Sequence, residues 1–337
     1  MIRKVGSVLF ALSVLQCVLS TRLLAQISPC TNRIQYFHLD PPALGQHSCV
    51  VEGSWLSLCV VQTSGCPPSA ARVETCPFCP SPVAGPPISL ATGNTYIEQK
   101  DISIPGLGGG LSLVRTWISQ WPSTQTASQT GLFGPNWRST FEERVFLGTD
   151  YYMKYSRSDG SYWSFGYNNQ GTWSVAAPAN VAATLVPGST YWTLTFQNGE
   201  RRLFNTSSGL LISIIDRNGN TTQVSYDANN RITTVADAAS RHLSFTYPNG
   251  SSFLVSSVTS DVGLSLSYSY DSQGRLSQVT EPDQSTITFT YNNQSLITLV
   301  TDSNGKTLES HTYDSNGRGL TASQAGGVNA VSITYPQ

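Results

Sequence analysis

The stretch YDSQGRLSQVTEPDQSTITFTY, from Tyr270 to Tyr291, decides the fold of this chain. Its last six residues alternate, with Ile287, Phe289 and Tyr291 on one side and threonines between them. Alternation with a period of two predicts a strand that has one buried and one exposed face. The polar runs DSQG and EPDQS predict a turn each. The stretch therefore predicts a unit of two strands and two turns.

The same plan recurs along the C-terminal part of the chain at a fixed period. The aromatic residues that end successive alternating runs recur at a spacing of roughly 22 residues. These repeat anchors are Phe204, Tyr226, Tyr247, Tyr270, Tyr291, Tyr313 and Tyr335. A fixed period of about 20 to 50 residues marks an array of units that bury their apolar faces by stacking on each other. We therefore predict an all-β fold built as a continuous sheet of repeats.

The clearest copies of the repeat begin YDANNRI, YDSQGRL and YDSNGRG. In each copy we expect the aspartate to accept backbone N–H groups and set a tight turn, at Asp227, Asp271 and Asp314. The fifth residue is of a type that tolerates positive φ, and these residues are Asn230, Gly274 and Gly317. The arginine that follows is predicted to be solvated or paired with a neighbouring acid, with a contribution of at most about 1 kcal/mol.

The composition of the chain limits the possible functions. Its 337 residues give room for two or three domains, and only 12% of them are charged, about half the usual share. The net charge of −1 supplies no basic surface for nucleic acid, so we predict no nucleic-acid partner. We find no segment with convincing helical periodicity after Ala25.

The N-terminal segment that ends at Ala25 has the pattern of a signal peptide. Arg3 and Lys4 precede a short apolar run, and Ala25 offers a small residue for cleavage. An uncleaved membrane anchor is the alternative, but the run is shorter than the roughly 20 residues that span a bilayer. We therefore predict a signal peptide over residues 1–25, a secreted or cell-surface protein, and no membrane association after its removal.

All seven cysteines lie before residue 80, and Cys17 belongs to the predicted signal peptide. In an exported protein the remaining six predict a disulfide module over residues 26–80, whose pairing the sequence leaves open. They are Cys30, Cys49, Cys59, Cys66, Cys76 and Cys79. The alternative is a metal site, since Cys76 and Cys79 have ligand spacing and His38 and His47 are near. A zinc ribbon needs two such pairs, however.

A proline-rich linker is predicted over residues 81–87 and a β-rich segment over residues 88–195, with the YD repeats over residues 196–337. In the β-rich segment Leu111, Leu113 and Arg115 alternate with Ser112 and Val114. The preceding GLGGGL run lacks the Lys-Ser/Thr ending of a phosphate-binding loop. We therefore expect it to connect the two strands of a hairpin.

These motifs resemble those of the RHS-repeat family, which includes bacterial polymorphic toxins, Tc-toxin shells and the animal teneurins. The tyrosine-spaced motif resembles the YD repeat. The stretch LATGNTYIEQKDISIPGLGGGLSLVRTWISQ, together with GLFGPNW, resembles the segment that precedes the repeats in bacterial members. The resemblance implies a long β-sheet that spirals into a hollow shell, often around a toxic C-terminal domain behind a self-cleaving acidic box. This sequence ends at SITYPQ with no such box, and about six repeats are too few for a closed shell. We therefore expect a fragment, a truncated product or a short open member.

The sequence offers few candidates for catalysis. It has four histidines, and none lies in a serine-elbow or zinc-helix motif. The strand that leads to Tyr313 is predicted to place Glu309 and His311 on the face of that tyrosine. DRNGN and DSNGK lack the bidentate glutamate of a calcium loop. We therefore predict no enzyme, no catalytic residue, no cofactor and no metal.

The favoured function is a non-catalytic secreted or cell-surface scaffold of the RHS type. It would be part of a shell-forming or polymorphic-toxin-type protein without its C-terminal effector, and its partner would be a toxin or effector segment. The alternative is an extracellular adhesion or carbohydrate-binding module that uses exposed aromatic and Asn/Thr rows to bind a surface glycan or protein. A hydrolase is the third class and the least supported, because the repeat aspartates already have roles in turns.

Overall fold

Strands dominate the computed structural model of this chain. It describes residues 34–38, 58–62, 83–84, 87–90, 92–121, 130–168, 171–178, 181–248 and 252–335. Within these ranges there is no α-helix, and two short 3-10 turns lie at Leu107–Gly109 and Ala325–Gly327. The prediction of an all-β fold is therefore confirmed. In the same ranges no helix is long and apolar enough to cross a membrane.

The first nine strands form four small antiparallel sheets. The two-stranded sheets pair β1 (Ile34–His38) with β2 (Leu58–Gln62), β3 (Val83–Ala84) with β4 (Ile88–Ser89), and β7 (Thr130–Gly131) with β8 (Gly134–Pro135). The three-stranded sheet has the order β5 (Tyr96–Ile104), β6 (Leu111–Ile118) and β9 (Trp137–Ser139).

The remaining nineteen strands form one sheet, here called the repeat sheet, in which each strand lies beside the next in chain order. They are β10 (Arg144–Leu147), β11 (Met153–Ser156), β12 (Tyr162–Tyr167), β13 (Trp173–Ala177), β14 (Ala183–Pro187), β15 (Tyr191–Phe196), β16 (Arg201–Asn205), β17 (Leu211–Ile215), β18 (Thr221–Tyr226), β19 (Ile232–Ala236), β20 (His242–Thr246), β21 (Ser257–Ser260), β22 (Ser265–Tyr270), β23 (Leu276–Thr280), β24 (Thr286–Tyr291), β25 (Ile297–Asp302), β26 (Thr307–Tyr313), β27 (Gly319–Gln324) and β28 (Val331–Ser332). This arrangement confirms the predicted repeat array.

The alternation of the sequence determines which face of the repeat sheet is buried. In β22, Leu266 and Tyr268 are buried, whereas the three serines between and beside them are exposed. Tyr268 pairs directly with Val279 of β23, and Val279 pairs with Ile287 of β24. Apolar residues thus stand opposite each other on one face, here called the core face. Each repeat therefore buries its apolar side chains beside those of its neighbours.

A β-bulge accompanies most anchor tyrosines. The register shifts between Ser269 and Tyr270, so that Tyr270 pairs with Leu276 and Ser277 is left over on the opposite strand. The hydroxyl of Ser277 donates to the carbonyl oxygen of Ser269 at 3.0 Å. Equivalent shifts lie at Tyr226, Tyr291 and Tyr313. Because a bulge increases local twist, its recurrence favours a sheet that curls.

The repeat sheet bends back on itself at its first strand. The backbone N–H of Val145, in β10, donates to the carbonyl oxygen of Gly209 at 2.9 Å. The N–H of Leu211 donates to the carbonyl oxygen of Glu143 at 3.3 Å. The start of the sheet therefore touches the turn between β16 and β17, six strands later.

The chain forms two units, residues 1–68 with 166–171, and residues 69–165 with 172–337. The second unit holds the hairpin of β5 and β6 together with most of the repeat sheet. The predicted signal peptide lies outside the described residues. So do five of the six cysteines, while Cys59 lies in β2. The disulfide module and the predicted domain boundaries stay predictions.

Candidate functional site: the hairpin on the core face of the repeat sheet

The hairpin of β5 and β6, residues 96–118, lies against the core face of the repeat sheet and is here called the N-terminal hairpin. Its strands pair so that Ile97 stands opposite Trp117, Ile102 opposite Leu113, and Ile104 opposite Leu111. All six side chains are buried in one cluster with apolar residues of the repeats, such as Val235 and Val279. Burial of apolar side chains of this size stabilises a contact by about 1.5–3 kcal/mol each. The hairpin is therefore part of the main core.

Two hydrogen bonds tie this part of the chain to different repeats. Nη1 of Arg241, in the turn between β19 and β20, donates to the carbonyl oxygen of Pro105, beside the GLGGGL connection, at 2.7 Å. The backbone N–H of Gly319, at the start of β27, donates to the carbonyl oxygen of Gly93 at 2.8 Å. The segment that holds the N-terminal hairpin thus joins repeats that are far apart in the sequence.

A buried ion pair lies in the middle of the N-terminal hairpin. Nε of Arg115 is 2.5 Å from Oδ2 of Asp101, and Nη2 donates to Oδ1 at 2.7 Å. The two side chains are 0% and 1% exposed. The register of β5 shifts between Lys100 and Ile102, which leaves Asp101 outside the ladder and beside Arg115. This bidentate geometry is the strong form of the carboxylate–guanidinium pair.

The repeat sheet completes the environment of the ion pair. The hydroxyl of Tyr268 donates to Oδ2 of Asp101 at 2.7 Å. The guanidinium carbon of Arg115 lies 4.8 Å from the centre of the Trp137 ring and 5.4 Å from the rings of Phe133 and Tyr268. Such contacts between a cation and an aromatic ring are worth about 2 kcal/mol when desolvated. We call Asp101, Arg115 and Tyr268 the buried triad.

The protonation of the buried triad follows from its surroundings. Burial alone lowers the pKa of Arg115, but the Asp101 carboxylate outweighs burial and raises that pKa above its ordinary value. Burial and the same carboxylate raise the pKa of Tyr268 well above its ordinary value. The triad therefore holds a charged guanidinium and a phenol that stays a hydrogen-bond donor.

Glu281 is a second acid beside this site. It follows β23, two residues after Val279, whose partner across the ladder is Tyr268. The side chain is half-buried, and burial, followed by the repulsion of Asp101, raises the pKa of Glu281 to about 7. The folded protein therefore holds the proton of Glu281 more strongly than an exposed glutamate would.

The predicted turn residues meet in one compact arrangement per repeat. Oδ1 of Asp271 accepts the N–H groups of Gln273 and Arg275 at 2.9 and 3.0 Å, and Nε of Arg275 donates to Oδ2 at 2.6 Å. Burial opposes ionisation here, but the hydrogen bonds of Arg275 hold the pKa of Asp271 below its usual value. Gly274 has φ of 73°. Asp227 with Asn230 (φ 60°) and Asp314 with Gly317 (φ 76°) repeat this geometry.

Each of these turns is joined to the next repeat through an anchor tyrosine. The guanidinium of Arg275 lies 4.7 Å from the centre of the Tyr291 ring, and the Tyr291 hydroxyl donates to the carbonyl oxygen of Leu276 at 2.8 Å. The other anchor hydroxyls donate to the carbonyl oxygens of the preceding unit in the same way, in the pairs Tyr226–Leu211, Tyr247–Ile232, Tyr270–Val255, Tyr313–Ile297 and Tyr335–Gly319. Phe204 lacks a hydroxyl and is fully buried. Each of these arginines is thus paired with the acid of its own turn, as one of the two expected roles had it, and in addition contacts the anchor tyrosine of the next repeat.

Among the histidines whose side chains the structure describes, His242 and His311, neither forms a catalytic constellation with these residues. His242 is partly exposed, and its Nδ1 is 3.3 Å from Asp261. His311 is buried with Nε2 3.2 Å from Glu309, on the face of Tyr313. His38 lies in β1, and His47 lies outside the described residues. In the ranges that the structure describes, no three His, Cys, Asp or Glu side chains come close enough to hold a metal ion.

The sequence did not indicate the roles of Asp101 and Tyr268. One signal was present, because Arg115 continues the apolar face of Leu111, Leu113 and Trp117. A charged residue on a buried face requires a buried partner. The sequence does not say which acid supplies it.

Comparison with known proteins gives two family matches. Residues 85–165 match a domain of unknown function, DUF6531, and residues 180–318 match the teneurin YD-shell. The chain is 30% identical over 143 residues to proteins named tRNA nuclease WapA of Bacillus subtilis (strain 168) and tRNA3(Ser)-specific nuclease WapA of Bacillus spizizenii. Each match covers 42% of this chain and 6% of the relative. The chain therefore spans a small part of these relatives.

Solved structures of low similarity include two titled TcdB2-TccC3-Cdc42 and TcdB2-TccC3 without hypervariable C-terminal region. The first is 12% identical and covers 56% of this chain and 12% of that chain, with a TM-score of 0.28. The second is 11% identical and covers 71% and 15%, with a TM-score of 0.29. The assignment rests instead on the family models and the repeat geometry. The two family models, over residues 85–165 and 180–318, support a relationship to RHS/YD-repeat proteins for that part of the chain.

Proposed function

We propose that this chain is a non-catalytic scaffold that forms part of the wall of a shell around another polypeptide, with a toxin or effector segment as the enclosed partner. The observation that carries the proposal is the buried triad. Asp101 and Arg115 come from the segment before the repeats, and Tyr268 comes from the middle of the repeat sheet. A segment held in this way stabilises the curl of the sheet, which a shell wall requires.

The polar groups of the repeats support a structural role. The carboxylates of Asp227, Asp271 and Asp314 accept backbone N–H groups and pair with the arginine four residues on. The anchor hydroxyls are bonded to backbone carbonyls. A catalytic acid or base needs a free position from which to reach a substrate. We therefore assign these groups a structural role in the shell wall and no role in catalysis.

The nuclease activity in the names of the WapA relatives belongs to proteins of which this chain spans 6%. We propose that this part of such a protein encloses and presents an effector. A secreted or cell-surface location fits this role and the predicted leader. The alternative of an adhesion or carbohydrate-binding module stays a prediction. It relied on exposed aromatic rows, and the anchor tyrosines from Tyr226 to Tyr313 are instead packed against the core.

The proposal is tested by hydrogen exchange and electron microscopy on the full chain. We expect the amides of residues 96–118 to exchange as slowly as those of residues 286–302, and the images to show a curled sheet. Rapid exchange across the N-terminal hairpin, or a flat sheet, would contradict the structural role. For the non-catalytic part, the purified chain is incubated with tRNA and with polysaccharides. Cleavage that is lost on a single Asp or His substitution would overturn it.

A further inference from the structure

The face of the repeat sheet opposite the core face, here called the outer face, carries a polar groove. The groove lies over β18, β19 and β20 and over the turn that joins β19 to β20, and its volume is about 450 Å³. Sites for small molecules typically have volumes of about 300–1,000 Å³. The residues of the groove alternate with buried ones, since Gln223 precedes the buried Val224 and Ala236 follows the buried Val235. The groove therefore lies on the opposite face of the sheet from the core.

One row of the ladder gives the groove its walls and its floor. Gln223 of β18 pairs with Ala236 of β19, and Ala236 pairs with His242 of β20. The long side chains of Gln223 and His242 thus stand on either side of a single methyl group. Asp261 orients the imidazole of His242, because its Oδ2 lies 3.3 Å from Nδ1. This row therefore has two tall walls and a low floor.

The equivalent rows of later repeats have the opposite shape. They consist of serine and threonine alone, with a branched threonine at the centre, and read Ser267–Thr280–Thr286 and Thr288–Thr301–Thr307. Short side chains flank the central threonine in both rows, so its branches fill the place that Ala236 leaves open. The groove is therefore a feature of this one row and does not follow from the repeat plan.

The lining of the groove offers neutral hydrogen-bonding groups. Among the described residues, the side chains of Gln223, Thr234 and Ser244 have no hydrogen-bond partner. Their amide and hydroxyl groups can both donate and accept hydrogen bonds. The carboxylate of Asp237, at the end of the groove, is already paired with Arg241 of the same turn. This lining suits a ligand with several uncharged hydroxyl groups and offers no unpaired charge to an ion.

We propose that the groove binds one sugar residue of a neutral glycan. The sugar hydroxyls pair with the amide of Gln223, with the hydroxyls of Thr234 and Ser244 and with Nε2 of His242, while the ring lies over the methyl group of Ala236. None of the described lining residues is aromatic, so binding relies on hydrogen bonds and not on the exposed aromatic rows of the alternative function. The groove adds a ligand to the outer face, whatever the core face encloses.

Saturation-transfer NMR and calorimetry on the full chain test the proposal. The neutral probes are maltohexaose, cellohexaose and the hexamer of N-acetylglucosamine, and polygalacturonate is the anionic probe. We expect at least one neutral probe to bind and polygalacturonate not to bind. Absence of binding by all the neutral probes, or equal binding of polygalacturonate, would overturn the proposal.

A substitution in the floor locates the ligand. Ala236→Thr introduces the residue that Thr280 and Thr301 provide in their own rows, so the Tm should stay that of the wild type. Binding of the neutral probe should weaken by about tenfold or more, the loss expected for one or two hydrogen bonds. The matched control is Thr280→Ala, which lowers the centre of a row without tall walls and should bind like the wild type. Wild-type affinity in Ala236→Thr, or an equal loss in both variants, would contradict the assigned site.

A substitution in one wall tests the same site without a change to the floor. Gln223→Ser introduces the residue type of Ser267 and removes the amide. It should weaken binding of the neutral probe by a similar factor, and Ser267→Ala in the later row should leave binding unchanged. Wild-type affinity in Gln223→Ser would overturn the proposal even if Ala236→Thr failed to fold.

Discussion

Tyr268 and Asp101 are 167 residues apart in the chain and share a hydrogen bond of 2.7 Å in the buried interior. The donor belongs to the repeat sheet and the acceptor to the N-terminal hairpin. A hydrogen bond to a charged acceptor contributes about 1.5–3 kcal/mol. The Tyr268 hydroxyl therefore links the repeat sheet to the N-terminal hairpin, and a substitution by phenylalanine removes this link.

Tyr268→Phe should destabilise the protein by about 1.5–3 kcal/mol, because the Asp101 carboxylate loses one donor while its burial is unchanged. Urea unfolding followed by tryptophan fluorescence measures the change. Tyr191→Phe is the matched control, since Tyr191 is 40% exposed on β15. Equal unfolding midpoints for the two variants would contradict the role of the Tyr268 hydroxyl.

Arg115→Met should cost about 3–5 kcal/mol, because it leaves the Asp101 carboxylate buried without its cation. The double variant Arg115→Met with Asp101→Leu removes both charges and should cost less than the sum of the single changes. A double-mutant cycle of urea midpoints measures this coupling. Additive costs would show that the two side chains do not act as a pair.

Gly274→Val should destabilise the protein by about 1–2 kcal/mol, because Gly274 has φ of 73° and a β-branched side chain strains that conformation. The added Cβ would lie 3.7 Å from Leu254, an ordinary contact, so the cost arises from the backbone. Gly274→Asn is the matched variant, since Asn230 occupies the same place in its own repeat with φ of 60°. Thermal unfolding should rank the wild type and Gly274→Asn together, with Gly274→Val below them. An unchanged Tm for Gly274→Val would contradict the positive φ assigned to Gly274.

The turn aspartates should make the array sensitive to strong acid. The pKa values of Asp227, Asp271 and Asp314 lie below the ordinary 3.8 in the folded state, because hydrogen bonds from the turn outweigh burial. Their stabilisation is present above pH 3.8 and is lost as the pH falls through the folded values. Asp271→Asn should therefore lose less stability than the wild type between pH 5 and pH 2, as measured by urea midpoints at each pH. Parallel pH curves for the two proteins would contradict this prediction.

The repeat was predictable because its determinants are local. The aspartate, the residue with positive φ and the arginine of one turn lie close together in the chain, so their spacing is visible in the sequence. The second turn of the unit is less visible. Ser240 and Gln284 adopt φ of 64° and 70° there, although neither is a glycine or an asparagine. In these turns the backbone hydrogen bonds of the hairpin impose the conformation.

The buried triad was not predictable for the opposite reason. The contact between Asp101 and Tyr268 depends on the curl of the sheet, which accumulates over many strands through bulges at single residues such as Ser277. The total curvature of a sheet over many strands cannot be read from the residue pattern of any one repeat. The position of Asp101 depends in addition on a register shift in β5 that leaves no mark in the residue types.

The hydrogen bonds of the anchor tyrosines all run in one direction along the chain, from a later residue to an earlier one. The carbonyl oxygen of Leu276 receives its hydroxyl donor from Tyr291, which the ribosome adds later. Every unit is thus finished by its successor, while the hairpin that carries Asp101 and Arg115 is made before any repeat. In chain order, the hairpin therefore precedes all of the repeats that it contacts. A swap of two repeats would preserve this order of assembly, whereas moving the hairpin to the end of the chain would reverse it.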